Sequence, residues 1–293
     1  MDIRVLRYFL TVVREENISH AAERLFITQP TLSRQLQELE KELNTKLFIR
    51  GKSKITLTES GMLLRRRAEE LVELADKTER EFLYKEENIS GTISVGCGET
   101  MAVKALSEVI MAFSREYPEV RFELYTGAAD HIKEEIDRGL LDIGLLMEPV
   151  EIEKYEYIRL KQTERWGVLL HSDNPLCEKA SITVEDIRDI PLIFPRRLGS
   201  QSVLRSWFSD DFDHLHIVAT GNLVANSARL VLQGLGSAVT IEGAVDMYRN
   251  PRLCFRPLVP ELENTSVLVW KKYQPFGQAA SKFIEFLKHA LKA

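Results

Sequence analysis

The chain has 293 residues, 44% hydrophobic and 28% charged, with 15 glycines and 10 prolines, the composition of an ordinary water-soluble protein with room for two or three domains. Its three widely spaced cysteines, Cys97, Cys177 and Cys254, exclude a disulfide framework or a zinc pattern and fit buried thiols in a reducing compartment. The net charge of −5 is unevenly spread: residues 1–58 carry ten Lys and Arg against seven Asp and Glu, a net +3, and the remainder carries −8, the asymmetry expected when only the head meets phosphate.

From the N-terminus, Met1 to Arg7 mixes charge with apolar residues, unlike a signal peptide, and no stretch approaches the roughly 20 apolar residues that span a bilayer. A cytoplasmic location with no membrane partner is therefore expected. Leu6, Phe9, Leu10 and Val13 recur at helical spacing from Ile3. After the polar break Glu16 to Ser19, Ser19 is positioned to cap a helix from His20 that turns Ala21, Ala22 and Leu25 inward. Thr28 is a second cap, with Pro30 in the first turn of the next helix. There Leu32, Leu36, Leu39 and Leu43 fall within roughly 60° of one another, one buried stripe. Pro30, Ser33, Arg34, Gln37 and Glu38 take the far side, and Gln29 the leading end. Two short helices with a tight turn, the second carrying Gln and Arg, suit a major groove, where Gln pairs with adenine and Arg with guanine or phosphate. An amphipathic helix pair with a merely solvated face has the same periodicity.

Motif order and spacing separate these two readings. Leu6-Arg7-Tyr8-Phe9, Ala21-Ala22-Glu23-Arg24-Leu25, Thr28-Gln29-Pro30-Thr31-Leu32-Ser33-Arg34-Gln35-Leu36, Leu39-Glu40, Leu47-Phe48-Ile49-Arg50 and Leu57-Thr58-Glu59-Ser60-Gly61 together resemble the LysR-type transcription regulators; Ser60 departs from the family's usual Ala. The resemblance implies a winged helix-turn-helix over residues 1–58, with Gln29, Pro30, Thr31, Ser33 and Arg34 meeting DNA and Arg50 a phosphate. The wing reads as strands near Phe48-Ile49 and Ile55-Thr56-Leu57 around a turn bearing Lys52 and Lys54, both assigned to DNA. Residues 59–88 read as a linker helix with an a/d seam of Leu64, Ala68, Leu71, Ala75, Thr78 and Phe82. The resemblance implies that this helix pairs with that of a second subunit, suiting an interrupted inverted repeat, and that the assembly is a tetramer.

After Gly91 strands and helices alternate. Strands at Thr92–Gly96, Val120–Leu124 and Leu141–Leu146 enclose helices at about 101–116 and 129–138, a βαβαβ order that implies a parallel sheet. A second unit is expected from about residue 163, with strands at Trp166–Leu170, Leu192–Phe194, Ile217–Thr220 and Ser237–Thr240, and helices at about 183–189, 203–208 and 223–232. The chain is expected to cross back near Ser266–Trp270, with a last helix from about 278 to 290 on the first unit. The expected fold is thus an all-α winged helix-turn-helix with a long linker helix, followed over 91–293 by an α/β two-lobed, periplasmic-binding-protein-like effector domain. Lobe I takes about 91–162 and 268–293, lobe II about 163–267.

A small-molecule effector belongs between the lobes, at strand ends and helix starts. The candidates there are Gly98, Glu99, Thr100, Thr126, Phe194, Ser200, Gln201 and Asn222; the resemblance marks Thr100 as a hydroxyl that the family uses for effectors. Glu99, expected at a helix start, would compete with an anion for the same N–H groups and favours a neutral, zwitterionic or cationic effector, whereas Arg196 and Arg197 favour a carboxylate. The rival readings lack parts. Gly96-Cys97-Gly98 is not followed by Gly-Lys-Ser/Thr, and Gly234-Leu235-Gly236 follows a helix as a C-cap does. His214 and His216 alternate on an expected strand without a third ligand, and no nucleophile elbow is present. Neither an enzyme, a metal nor a cofactor is expected. A thiol-based redox-sensing regulator of the same architecture is the alternative; it needs a close cysteine pair, and none is evident from the spacing.

Overall fold

In the computed structural model, which describes residues 1–50, 54–83, 89–246, 248 and 250–291, the chain divides into two units, Met1–Tyr84 and Lys85–Ala293. The first unit begins with α1 (Ile3–Glu15), α2 (Ile18–Arg24) and α3 (Gln29–Glu42). The α2 cap is Asn17 rather than Ser19: its side-chain oxygen accepts from the amides of Ser19 and His20, and the helix starts two residues earlier than His20. Asn and Ser are near-equal caps, so local preference did not separate them. Thr28 caps α3, accepting from the Thr31 amide. Leu32, Leu36 and Leu39 join Leu6, Phe9, Val12, Ala21 and Ala22 in one core. Leu43 does not: it is the C-cap residue and 38% exposed, because α3 ends as the stripe leaves the core.

The wing is β1 (Phe48–Arg50) paired antiparallel with β2 (Ile55–Leu57). It is tied back to α1 by the Ile55 amide, which donates to the Glu16 carbonyl at 2.9 Å. Then α4 (Glu59–Leu83) leaves the wing. A Cβ at Gly61 would lie 2.2 Å from the Leu47 carbonyl oxygen, so the helix starts against the strand only because that side chain is missing. Two members of the expected subunit seam, Leu64 and Ala68, are buried in this unit's own core. The reason is α1, which lies along α4 and is ion-paired to it through Arg7 and Asp76. Leu63, Leu71 and Leu74 remain exposed on α4.

The second unit opens with β3 (Gly91–Cys97), α5 (Ala102–Glu116), β4 (Val120–Thr126), α6 (Ala129–Asp137) and β5 (Ile143–Met147), with β3 parallel to both β4 and β5. Next come β6 (Tyr155–His171), a 3-10 turn at Pro175–Glu178, α7 (Val184–Ile187), β7 (Leu192–Pro195), α8 (Leu198–Phe208) and a second 3-10 turn at Ser209–His214. The chain continues through β8 (Ile217–Gly221), α9 (Val224–Leu232), β9 (Ser237–Ile241), α10 (Glu242–Asp246), β10 (Leu253–Pro257), β11 (Glu263–Lys271) and α11 (Gln278–Leu291).

The strands run in the order β4-β3-β5-β11-β6-β9-β7-β8, with β10 also on β6. β6 is the spine that joins the two lobes. Up to Arg165 it pairs with β11; beyond that, Trp166–Leu169 pair with β9 and Gly167–His171 with β10. The strand expected at Trp166–Leu170 is therefore only the end of a longer one. Its first half alternates imperfectly, Tyr155, Ile158 and Leu160 being buried between Glu156, Arg159 and Lys161, which hid the period. α8 likewise starts at Leu198, ahead of the expected 203. β10 and the Pro175–Glu178 turn were not expected at all. Each lobe has its own core. In the first, Phe113 of α5 meets Phe283 of α11 edge to face at 4.9 Å. In the second, Phe194 of β7 meets Phe208 of α8 with ring centroids 6.0 Å apart, in one cluster with Ile187.

Candidate DNA-reading face and effector cavity

In α3 the apolar side is spent on the core, which turns the other side to solvent. Gln29, Pro30, Thr31 and Arg34 are exposed and Ser33 is half-buried. Their partners are local: Gln29 Nε2 donates to Ser33 Oγ at 3.0 Å, and Arg34 Nε to Glu38 Oε1 at 3.1 Å. Arg34 is 77% exposed, and such a surface pair stabilises by at most about 1 kcal/mol, so it exchanges readily for a phosphate or a guanine edge. At the wing, Lys54 pairs with Glu16 at 2.7 Å. Arg50 is placed by its backbone alone, at the end of β1; Lys52 lies outside the described residues.

In the second unit, strand ends and helix starts from both lobes enclose a cavity of about 110 Å³. Gly98, Glu99, Thr100, Phe194, Ser200 and Asn222 line it, together with the apolar side chains of Leu145, Met147, Trp166, Val239 and Ile241. Thr126 and Gln201, also expected there, do not. Thr126 is exposed at the end of β4, and Gln201 turns to its own chain, donating to the Pro195 carbonyl at 3.0 Å.

Glu99 does not serve the helix that follows it. It reaches from the first lobe to the start of α9 in the second, accepting from the Val224 amide at 2.6 Å and the Tyr248 hydroxyl at 2.8 Å. This hydrogen bond to Glu99 holds the Tyr248 phenol above its usual range. The start of α5 is instead served by Glu164 of β6, a residue that no motif or period singles out. Its carboxylate accepts from the amides of Met101 and, at 3.2 Å, Gly243, so it caps the starts of α5 and α10 together. Burial raises the Glu164 carboxyl, and the amides of Met101, Gly243 and Ala102 only partly offset that.

Arg197, another lining residue, is 9% exposed. Its terminal nitrogens donate to the carbonyls of Met147 and Pro149. Its Nε has no hydrogen-bond partner and stands 3.6 Å from Asp130. Burial lowers its pKa against the opposing pull of Asp130. Thr100 Oγ1 is likewise buried and unpartnered. The sequence marked Thr100 through resemblance and Arg197 through charge, but not that both would be left with an unused donor beside one cavity.

His214 ends a 3-10 turn rather than lying on a strand. Among the described residues, no three His, Cys, Asp or Glu side chains gather as metal ligands. Gly234 takes a φ of 78° after α9, the left-handed cap expected of it. The elements that carry Cys177 and Cys254 lie together, because β10 and the Pro175–Glu178 turn both pack against the end of β6 and Arg256 Nε donates to the Cys177 carbonyl at 3.1 Å; the Cys177 Sγ itself donates to the His171 carbonyl at 3.3 Å.

Among the described residues, no helix is long and apolar enough to cross a membrane. Residues 3–62 match the family profile described as bacterial regulatory helix-turn-helix protein, lysR family, and residues 86–292 match the LysR substrate binding domain. The Hca operon transcriptional activator HcaR of Escherichia coli (strain K12) is 28% identical over 93% of this chain and 92% of its own. The HTH-type transcriptional regulator BsdA of Bacillus subtilis (strain 168) is 30% identical over 82% and 83%. In fold, the chain is similar to the crystal structure of CbnR, a LysR family transcriptional regulator, with a TM-score of 0.78 at 21% identity over 100% of both chains. A CbnR complex with its target DNA gives 0.76 at 22% identity, covering 99% of this chain and 100% of that one. An exposed reading helix in one unit, a cavity between two α/β lobes in the other, and family profiles over both have one meaning: the chain is a DNA-binding transcription regulator of the LysR family with an effector-binding domain.

Proposed function

We propose that this regulator reads an interrupted inverted repeat as a self-paired oligomer, and that a small effector held between its lobes sets how the paired heads lie on DNA. Gln29, Pro30, Thr31, Ser33 and Arg34 meet the groove, with Arg50, Lys52 and Lys54 on the flanking backbone. The linker helix pairs subunits through its exposed line of Leu63, Leu71 and Leu74 rather than through Leu64 and Ala68. Arg34→Ala should weaken operator binding by roughly 5- to 150-fold, the span of one guanidinium-to-base contact, with unchanged circular dichroism and oligomeric mass. Unaltered gel-shift affinity would remove Arg34 from the site.

One observation carries the effector reading: two buried polar atoms beside the same cavity, Thr100 Oγ1 and Arg197 Nε, have no hydrogen-bond partner in the protein, the second having only the Asp130 carboxylate at 3.6 Å. Buried polar groups are nearly always satisfied, and an orphan costs about 1–3 kcal/mol. A ligand that supplies an acceptor there recovers that cost. The apolar lining asks for a compact, mostly hydrocarbon body. Glu99 already holds the start of α9, so a second carboxylate on the ligand would meet repulsion there. The effector class is therefore a small, largely apolar molecule with a single acceptor group, and not a dicarboxylate. A thermal-shift panel of neutral amides, monocarboxylates, amines and dicarboxylates tests this, repeated on Thr100→Val. A ligand from one of the first two classes should stabilise the chain and bind about tenfold more weakly to the variant, the worth of about one hydrogen bond. Stabilisation by dicarboxylates alone would reject the assignment.

A further inference from the structure

The turn that leads into the reading helix carries a side chain that serves neither the core nor a cap. Leu25 closes α2, and the amides of Ile27 and Phe26 then donate to the carbonyls of Ala22 at 3.0 Å and Glu23 at 3.1 Å. Those paired bonds make a Schellman turn, whose left-handed position is ordinarily glycine. Here that position is Phe26, with a φ of 55°, a conformation that bulky residues rarely adopt. Leu25 and Ile27 pack against the core of the head. The ring between them is turned outward and is 95% exposed. Neither burial nor backbone preference favours phenylalanine there, and a residue that local stability disfavours on both counts points to a use outside the fold.

We propose that Phe26 is a further specificity-determining residue, its ring set against the C5 methyl group of a thymine in the major groove. The inference rests on the reading of α3 as the helix that enters that groove. The ring is continuous with the face already described, because Thr28, Gln29 and Pro30 follow it directly after Ile27 and are all exposed. The head around it carries the net +3 that draws a duplex. These two features put DNA on the ring rather than an apolar protein surface. Phenylalanine has no donor or acceptor, so it cannot read the hydrogen-bonding edges of bases. The thymine methyl is the apolar group that the major groove presents. The turn's hydrogen bonds hold the backbone beforehand, so contact has only the ring's own torsions to order.

The test uses the full-length chain and a duplex that the native chain selects from a random-sequence pool, with binding read by fluorescence anisotropy. Phe26→Asn supplies a residue that accepts the left-handed backbone. It should bind the duplex about tenfold more weakly, somewhat less than full burial of a phenylalanine ring would give. Its thermal midpoint by circular dichroism should be unchanged or raised, because the disfavoured residue has gone. Deoxyuridine, which lacks only the methyl group, then replaces the thymines of the duplex one at a time. At one or more positions the native chain should lose about fourfold, the worth of one buried methyl group, and Phe26→Asn less than about 1.5-fold. Arg34→Ala separates this contact from the reading beneath it. If Arg34→Ala weakens binding and Phe26→Asn does not, the Phe26 contact is overturned and α3 remains the reading helix; if neither weakens it, both fall. A lowered midpoint in Phe26→Asn would make the ring structural, and deoxyuridine losses that are absent, or equal in the two chains, would take the thymine away from it. Either result overturns the proposal.

Discussion

Single carboxylates do much of the positioning in this chain, and they differ in what they hold. Glu40 is largely buried in α3, where it accepts from the Leu47 amide and from Lys46 Nζ, both at 2.8 Å. Burial alone would raise its carboxyl, but Lys46 and the amides of Leu47 and Phe48 together hold it below the usual value. A depressed carboxyl stabilises fully above its unfolded pKa, and that stability is lost as pH falls through the folded one. Glu40→Gln should therefore cost about 1.5–3 kcal/mol at neutral pH, the range for hydrogen bonds to a charged group. The deficit should shrink only as pH falls through the depressed folded pKa of Glu40, below the ordinary carboxylate range, where the native carboxyl itself becomes neutral. Urea unfolding followed by far-ultraviolet circular dichroism measures both; a deficit independent of pH would mean that the charge is not what matters. Glu40 appeared in the sequence only as part of a motif. Its amide partners lie across the turn into β1, and helical periodicity says nothing about them.

At the level of elements, the starts of three helices are served by two carboxylates. Glu164 takes those of α5 and α10, and Glu99 crosses between lobes to that of α9. Sharing one carboxylate requires α10 to lie very close to α5. A Cβ at Gly243 would stand 2.3 Å from the Met101 amide nitrogen and 2.8 Å from Glu164 Oε2. Gly243→Ala should thus force the helices apart and cost about 1–3 kcal/mol, as overpacking does. All three tryptophans, Trp166, Trp207 and Trp270, belong to this unit, so its thermal unfolding can be followed by their fluorescence. An unchanged midpoint would show that α10 moves away freely. The elements themselves were largely legible where burial follows one period, as in α3. They were illegible where one strand serves two lobes, as β6 does, because its charged positions break the alternation.

For the whole molecule, charge distribution matters more than net charge. The head carries +3 and the rest −8, so attraction to a duplex is confined to one end, and the acidic remainder opposes indiscriminate binding. Operator affinity should fall linearly with the logarithm of salt concentration, at about −0.9 per phosphate neutralised. With Arg34, Arg50, Lys52 and Lys54 as the proposed contacts of each head, fluorescence anisotropy over a salt series should give a clearly negative slope. A slope near zero would contradict that set.

From the sequence alone came the helix-turn-helix, the order of most strands and helices, and most of the stretches that line the cavity between the lobes. Those properties are local: a helix or strand writes its burial into the chain every 3.6 or 2 residues, and a cap or turn into the residues beside it. Only the tertiary structure decided which distant groups meet. It sent Glu99 to α9 instead of α5, put Leu64 and Ala68 inside the head, and left Thr100 Oγ1 and Arg197 Nε without a hydrogen bond beside one cavity. The physical reason is that such pairings are set by how strands order themselves in a sheet, and the partners carry no shared period along the chain.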